Sequence, residues 1–313
     1  RPLPSTNLSF LSAVMYDGRE TVSPLTNPAI FAANLRADLS HQAMDATLGH
    51  AQAAAAPSAA QVSAIVDFES SLYTAQRSDD AAGVLLAQGA NGGPQVLAGQ
   101  SYFPGINDPL GGNPTGASFN PAAFTLFGSW LNLSSSDHSK YAHARAAVAR
   151  GEVIFNTHPL VITAVHGLND ALAQPVINGT CTTCHDAPNV GNHSLPVPLD
   201  IGTSHALQYE TDPNIRAALA QLSMPDLPTY QVSCGGGPDV YTSDPGRVMI
   251  TGDCGDINRI KGPVLRGLAA RAPYFHNGSA ATLDEVVAFY NIRFQMGLTA
   301  AERADLVAFL RSL

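Results

Sequence analysis

The chain has 313 residues, 45% of them hydrophobic and only 13% charged, enough for one large domain or two ordinary ones around a substantial core. Its net charge of −9 argues against nucleic acid or an anionic membrane surface as a partner, and leaves room for a basic protein. No run approaches the roughly 18 apolar residues that a membrane-spanning helix needs, so the protein is not expected to be transmembrane.

The opening RPLPSTNLSF lacks the apolar core of a signal peptide, so either a leader has been removed or the start is missing. Helices are then expected, in order, over about 28–49 (NPAIFAANLRADLSHQAMDATLG), 58–74, 137–156, 212–222, 281–292 and 299–313. Between them lie two Gly/Pro-rich stretches, 91–119 and 223–263, which read as long ordered loops because Tyr, Phe and Leu are scattered through them. No convincing set of alternating strands occurs. The class is mainly α.

Four cysteines are present, and two stand in CTTCH, residues 181–185. C-x-x-C-H is the attachment signature of c-type haem. Two thiols one helical turn apart reach the two vinyl groups on one porphyrin edge, and the adjacent His185 turns its imidazole to the iron. A zinc site would need a second ligand pair, and a redox dithiol a βαβ setting; neither is present. Covalent haem is attached outside the reducing cytosol, so Cys234 and Cys254 are expected to form a disulfide. The protein would then be periplasmic or secreted.

The chain echoes itself. SAAQVSAIVDFESSL (58–72) matches TAAERADLVAFLRSL (299–313), each opened by a Ser or Thr N-cap, and YDG (16–18) matches FHNG (275–278). The second copy runs from about 146 to the end and contains CTTCH; the first has no cysteine. Two domains follow: 1–145, lacking a haem motif and carrying an insertion at 76–145, and 146–313, bearing the haem. The first copy begins too late to include a haem motif, and an N-terminal portion beyond this chain is expected.

The stretch IKGPVLRGLAARAPYFHNGSAATLDEVVAFYN, with its K-x-P-x-L-R, P-Y-x-H-N-G and T-L-x-E-V-V segments, resembles the haem domain of bacterial di-haem cytochrome c peroxidases and MauG proteins. RPLPSTNLSFLSAVMYDGRE resembles their N-terminal domain. The resemblance implies two cytochrome-c-like helical domains with long loops, electrons entering at the C-terminal haem, and hydrogen peroxide met at the N-terminal one. Carried over by position, Cys181 and Cys184 are the thioether sites and His185 the proximal ligand. Tyr290 falls at the sixth-ligand place, as in MauG-type members. Tyr16 stands for the tryptophan between the haems, Lys261 and Arg266 lie by the propionates, and His276 supports the pocket. The family's inter-domain calcium is doubtful here, because Arg1 lies close to the place of its asparagine ligand.

The residues alone keep other sixth ligands open. Met224, in the Pro-rich SMPDLP, is the main alternative to Tyr290; Met249 and Met296 are weaker. Thioether ligation would raise the potential and phenolate ligation lower it. His50, one helical turn beyond the position matching Tyr290, is a candidate acid/base for peroxide. The expected function is that of an exported peroxidase or MauG-like oxidase. It would carry one haem c here and a second on a missing segment, act on hydrogen peroxide with a small-molecule or protein substrate, and take electrons from a redox protein. The alternative is a mono-haem electron carrier.

Overall fold

The six expected helices form, four of them behind a capping side chain: Ser58, Asp212, Thr282 and Thr299. A computed structural model describes residues 4–21, 28–133, 139–223 and 226–313. Its α-helices are α1 (Pro28–Asp45), α2 (Ala59–Ser70), α3 (Pro94–Ala98), α4 (Ala142–Thr157), α5 (Pro213–Leu219), α6 (Val248–Thr251), α7 (Leu283–Arg293) and α8 (Ala300–Arg311). Three antiparallel pairs accompany them: β1 (Ser78–Asp79) with β2 (Gly83–Val84), β3 (Leu160–Thr163) with β4 (Val176–Gly179), and β5 (Tyr230–Val232) with β6 (Val240–Thr242). These strands are two to four residues long, too short for an alternating pattern to be read. The protein is mainly helical, and no helix among the described residues is long and apolar enough to cross a membrane.

The echoed segments share their local chemistry. Ser58 accepts from the Gln61 amide at 3.4 Å while its own amide donates to Gln61 Oε1 at 2.9 Å. Thr299 and Glu302 repeat this at 3.3 and 2.8 Å. Each box satisfies two amides that an isolated helix end leaves bare. The two helices then part company. On α8, Leu306 and Phe309 are 4% and 0% exposed; at the matching places on α2, Ile65 and Phe68 are 39% and 66% exposed.

What covers α8 is α4. The two meet at Gly151, where a Cβ would lie 2.0 Å from the Asp305 carbonyl oxygen, so only glycine permits this approach. Arg150 clamps the same spot, its Nε and Nη2 donating to Asp305 at 2.7 and 2.8 Å. Phe155 of α4, Phe309 of α8 and Phe124 interlock with ring centroids 5.5–5.6 Å apart. Residues 82–130, N-terminal to the boundary expected at 145/146, lend Ala82, Leu85, Phe127 and Trp130 to this same core. Polar groups on α4 hold that loop. Buried Glu152 accepts from the Leu126 and Phe127 amides, and Asn156 pairs with both the amide and the carbonyl of Phe124. The loop thus finds on α4 the backbone partners that it lacks within itself.

The N-terminal segment packs on both halves. Phe10 and Leu11 join Leu97, Val190 and Val264, while Val14 joins Leu39, Val62 and Val66. Further along, the expected Cys234–Cys254 disulfide is formed.

Near β6, His205 lies between two carboxylates, Nε2 at 2.9 Å from Asp200 Oδ2 and Nδ1 on Glu210. Burial pulls the imidazole pKa down, but hydrogen bonds to Asp200 and Glu210 outweigh it and raise the value to about 10. A raised folded pKa stabilises fully below the unfolded value of about 6.5, and the contribution is lost as pH rises through about 10. Asp200 and Glu210 are shifted down, so their contribution is present above the usual carboxylate range and fails in acid. His205→Gln is therefore expected to lower stability by about 2 kcal/mol near pH 6, with the gap to wild type closing above pH 10. Denaturant titrations across pH test this, and a gap constant from pH 6 to 11 would contradict it.

Candidate functional site

β4 leads the chain into the site. Gly179 ends it, and a Cβ there would lie 2.4 Å from Thr183 Oγ1, so glycine lets the CTTCH turn fold back on the strand. Cys181–Thr183 form a 3-10 turn, closed by the Thr180 amide on Thr183 Oγ1 at 3.0 Å and the His185 amide on the Cys181 carbonyl at 3.0 Å. This turn sets Cys181, Cys184 and His185 in the wall of a cavity of about 480 Å³. Phe155 of α4, Leu306 and Leu310 of α8, and Tyr290 of α7 line it as well.

The donor set fits a covalently attached haem. His185 Nδ1 lies 2.6 Å from the Gly191 carbonyl, which can only accept, so Nδ1 carries the proton and Nε2 is left for a ligand. Burial lowers the His185 pKa, keeping the imidazole neutral as an iron ligand must be. That acceptor is fixed by packing: Gly191 has φ +69°, and a Cβ there would lie 2.7 Å from the Phe124 ring. The Cys181 and Cys184 thiols are free, and burial pushes their pKa up to about 12. Their surroundings are apolar, as the edge of a porphyrin would require. The volume lies within the range of small-molecule and cofactor pockets.

The other residues singled out in the sequence divide. Tyr290 lines the cavity and packs on Phe294 and Phe289 at 5.7 Å; burial raises its pKa, with the two cysteines adding to the shift. Lys261 lines it too, its pKa lowered to about 8 by burial, with Nζ on the Ala13 carbonyl at 2.8 Å. Tyr16 and His276 are also in the wall, stacked with centroids 3.8 Å apart. Arg266 is not a lining residue. It is buried behind Phe124, with Nε on the Asn189 carbonyl at 2.7 Å. The arginine that lines the cavity is Arg271, anchored on the Val264 carbonyl at 2.6 Å, which no motif marked. His50 ends a π-turn after α1, is exposed, and does not line the cavity.

Of the methionines, Met249 is 67% exposed and away from the cavity, whereas Met296 is buried and lines it. Met224 and Arg1 lie outside the described residues. Among the described residues, the group of metal-capable side chains is Glu20, His41 and Asp45. Its imidazole makes it a poor match for calcium, which takes oxygen ligands.

A C-x-x-C-H turn in the wall of an apolar cavity, with its histidine among the lining residues, is the arrangement that attachment of a c-type haem requires. Comparison with known proteins points the same way. The chain is 31% identical over 143 residues to a cytochrome-c peroxidase of Denitromonas iodatirespirans, covering 43% of this chain and 36% of that protein. A second cytochrome-c peroxidase of the same organism is 45% identical over 69 residues, 18% of each chain. The cytochrome c peroxidase of Escherichia coli K12 is 42% identical over 77 residues, 24% of this chain and 16% of that one. The chain thus spans about a third of the length of these relatives, or less. No family model and no solved structure matches it.

Proposed function

We propose that the chain is the C-terminal haem domain, with part of the N-terminal domain, of an exported di-haem cytochrome c peroxidase or MauG-like oxidase. The observation that carries this reading is the inward-facing Cys181–Cys184–His185 turn in a cavity that also holds Tyr290. The likeness to cytochrome-c peroxidases supports it. When bound, the haem supplies one-electron chemistry. The protein's own contribution is to hold the haem by two thioethers, to orient His185 through the Gly191 carbonyl, and to line the haem faces with apolar side chains.

A haem held by Cys181, Cys184 and His185 would accept electrons from a redox protein, and Tyr16, in the same cavity wall, would lie on their path to a second haem on a further segment, where hydrogen peroxide would be reduced. A second haem on a further segment is supported by the bare face of α2, whose echo α8 is covered by α4. The proposed two-domain division at 145/146 rests on the same echo, with residues 82–130 of the first part packed into the core of the second. The disulfide and the covalent haem motif support an oxidising, extracytoplasmic setting. His50 is a candidate proton carrier only if that further segment encloses it, since it is exposed in this chain.

Tyr290 is the proposed sixth ligand. A second reading, a mono-haem electron carrier, draws on Met296, which lines the same cavity. One comparison separates them. Under the first reading the purified full-length gene product oxidises a reduced c-type cytochrome when hydrogen peroxide is added, and Tyr290→Phe shifts the haem spectrum and raises its midpoint potential. No peroxide-dependent turnover, with the spectrum moved by Met296→Leu and untouched by Tyr290→Phe, would leave the electron carrier standing.

A further inference from the structure

Asp244 belongs to no motif, and its side chain is buried. It lies just after β6, where its amide donates to Thr242 Oγ1 at 3.0 Å and its Oδ1 accepts from the Gly246 amide at 3.2 Å. Those contacts fix the carboxylate before it touches anything else. Its second oxygen, Oδ2, is hydrogen bonded to Nδ1 of His276. The His276 ring lies on the Tyr16 ring with centroids 3.8 Å apart and planes 18° from parallel.

Tyr16 is held from the other side, through its backbone. Its carbonyl accepts from the Lys261 amide at 2.8 Å, and the next carbonyl, that of Asp17, accepts from Arg247 Nη1 at 2.7 Å. Lys261 Nζ adds a third tie at the Ala13 carbonyl. One ring is therefore fixed by backbone contacts and the other by a buried carboxylate, and both rings line the haem cavity.

We propose that Asp244 is a positioning residue that, through His276, keeps Tyr16 in flat ring contact at the haem edge and so keeps the electron path short. The proposal rests on the reading that electrons pass by way of Tyr16. The stacked pair gains and loses no electrons overall: each electron leaving toward the peroxide-reacting haem is replaced by one from the haem on Cys181 and Cys184. Two such electrons and two protons from solvent convert one hydrogen peroxide to two waters. Transfer rates fall steeply with distance and alignment, so a His276 ring free to swing away lengthens the path without touching the peroxide site.

The test uses the full-length, haem-loaded protein and four variants: Asp244→Ala, Asp244→Asn, His276→Phe and the Asp244→Ala/His276→Phe pair. In the reduced protein labelled at tyrosine, the Tyr16 ring protons, assigned with Tyr16→Phe, should show an upfield ring-current shift that collapses in Asp244→Ala and persists in Asp244→Asn, whose amide oxygen still accepts from Nδ1. In turnover, Asp244→Ala should lower kcat about tenfold with KM for peroxide unchanged, and should add nothing on the His276→Phe background. A ring-current shift that survives Asp244→Ala, or a wild-type kcat in that variant, overturns the proposal alone. If Asp244→Ala does not fold, the Asn and Phe variants carry the same comparison, and a kcat unmoved by His276→Phe overturns it. A wild-type protein with stacked rings but no reaction with peroxide overturns the relay reading, and the proposal falls with it.

Discussion

Changing Cys181 and Cys184 together to serine is expected to leave a chain with helical content but no cooperative thermal transition. The cavity of about 480 Å³ is walled largely by Phe155, Leu160, Ile162, Leu306 and Leu310, which are also members of the main hydrophobic core, so an empty cavity would run through the middle of that core. At the ~24 cal/mol per Å³ measured for cavities left in apolar cores, a void of this size would cost on the order of 12 kcal/mol. Relaxation will reduce that figure, yet it is as large as the whole stability of an ordinary domain, about 5–15 kcal/mol. A haem bonded to Cys181 and Cys184 would fill this cavity and complete the core around it. Far-ultraviolet and near-ultraviolet circular dichroism against temperature test this. Retained far-ultraviolet signal with lost near-ultraviolet signal is expected. A sharp transition within a few degrees of the holoprotein would contradict it.

Gly151→Ala carries the second large effect. The added methyl would be placed 2.0 Å from the Asp305 carbonyl oxygen and 2.7 Å from Phe309 Cβ. The first obstacle is backbone inside α8 and cannot rotate away, so α4 and α8 must move apart. Separation loosens the Phe124–Phe155–Phe309 contacts and the Arg150–Asp305 clamp together. Overpacking against backbone is expected to cost about 3 kcal/mol or more. Because Phe155, Leu306 and Leu310 also wall the haem cavity, the haem spectrum should broaden in the same variant. Chemical denaturation of wild type and variant tests it; a loss below about 1 kcal/mol would mean the helices have slack that this packing denies.

Much of this was legible in the sequence where the information is local. The Ser58–Gln61 and Thr299–Glu302 boxes are readable because each satisfies its own helix start within four residues. CTTCH is readable because porphyrin geometry dictates its spacing, and the fold brings Cys181, Cys184, His185, Tyr290, Lys261, His276 and Tyr16 to one cavity. The disulfide followed from compartment and from two spare cysteines.

What was not legible depends on long-range placement. Glu152 and Asn156 look like the polar face of an amphipathic helix, yet both are buried and hold the loop at 124–127. Nothing local says that a loop some 25 residues earlier will bring bare amides to them. Arg266 and Arg271 stand in one arginine-bearing loop, and only the left-handed turn at Gly267 and the carbonyl ties of Arg271 decide which one lines the cavity. Asp244 is set by a loop that no helix or strand period describes. His50 shows the converse: its place was read as one α-helical turn beyond the position matching Tyr290, but Ala46–His50 form a π-helical turn and the side chain is exposed.

The central claim is that the cavity beside CTTCH holds a haem bonded to Cys181 and Cys184 with His185 on its iron. The most direct measurement is on the protein purified from a host that attaches haem c: a pyridine haemochrome count per chain, with mass spectrometry of the peptide carrying residues 181–185. Haem retained after acid extraction, at one per copy of CTTCH and on that peptide, is the predicted result. Free thiols at both positions, with no haem on the peptide, would contradict the account.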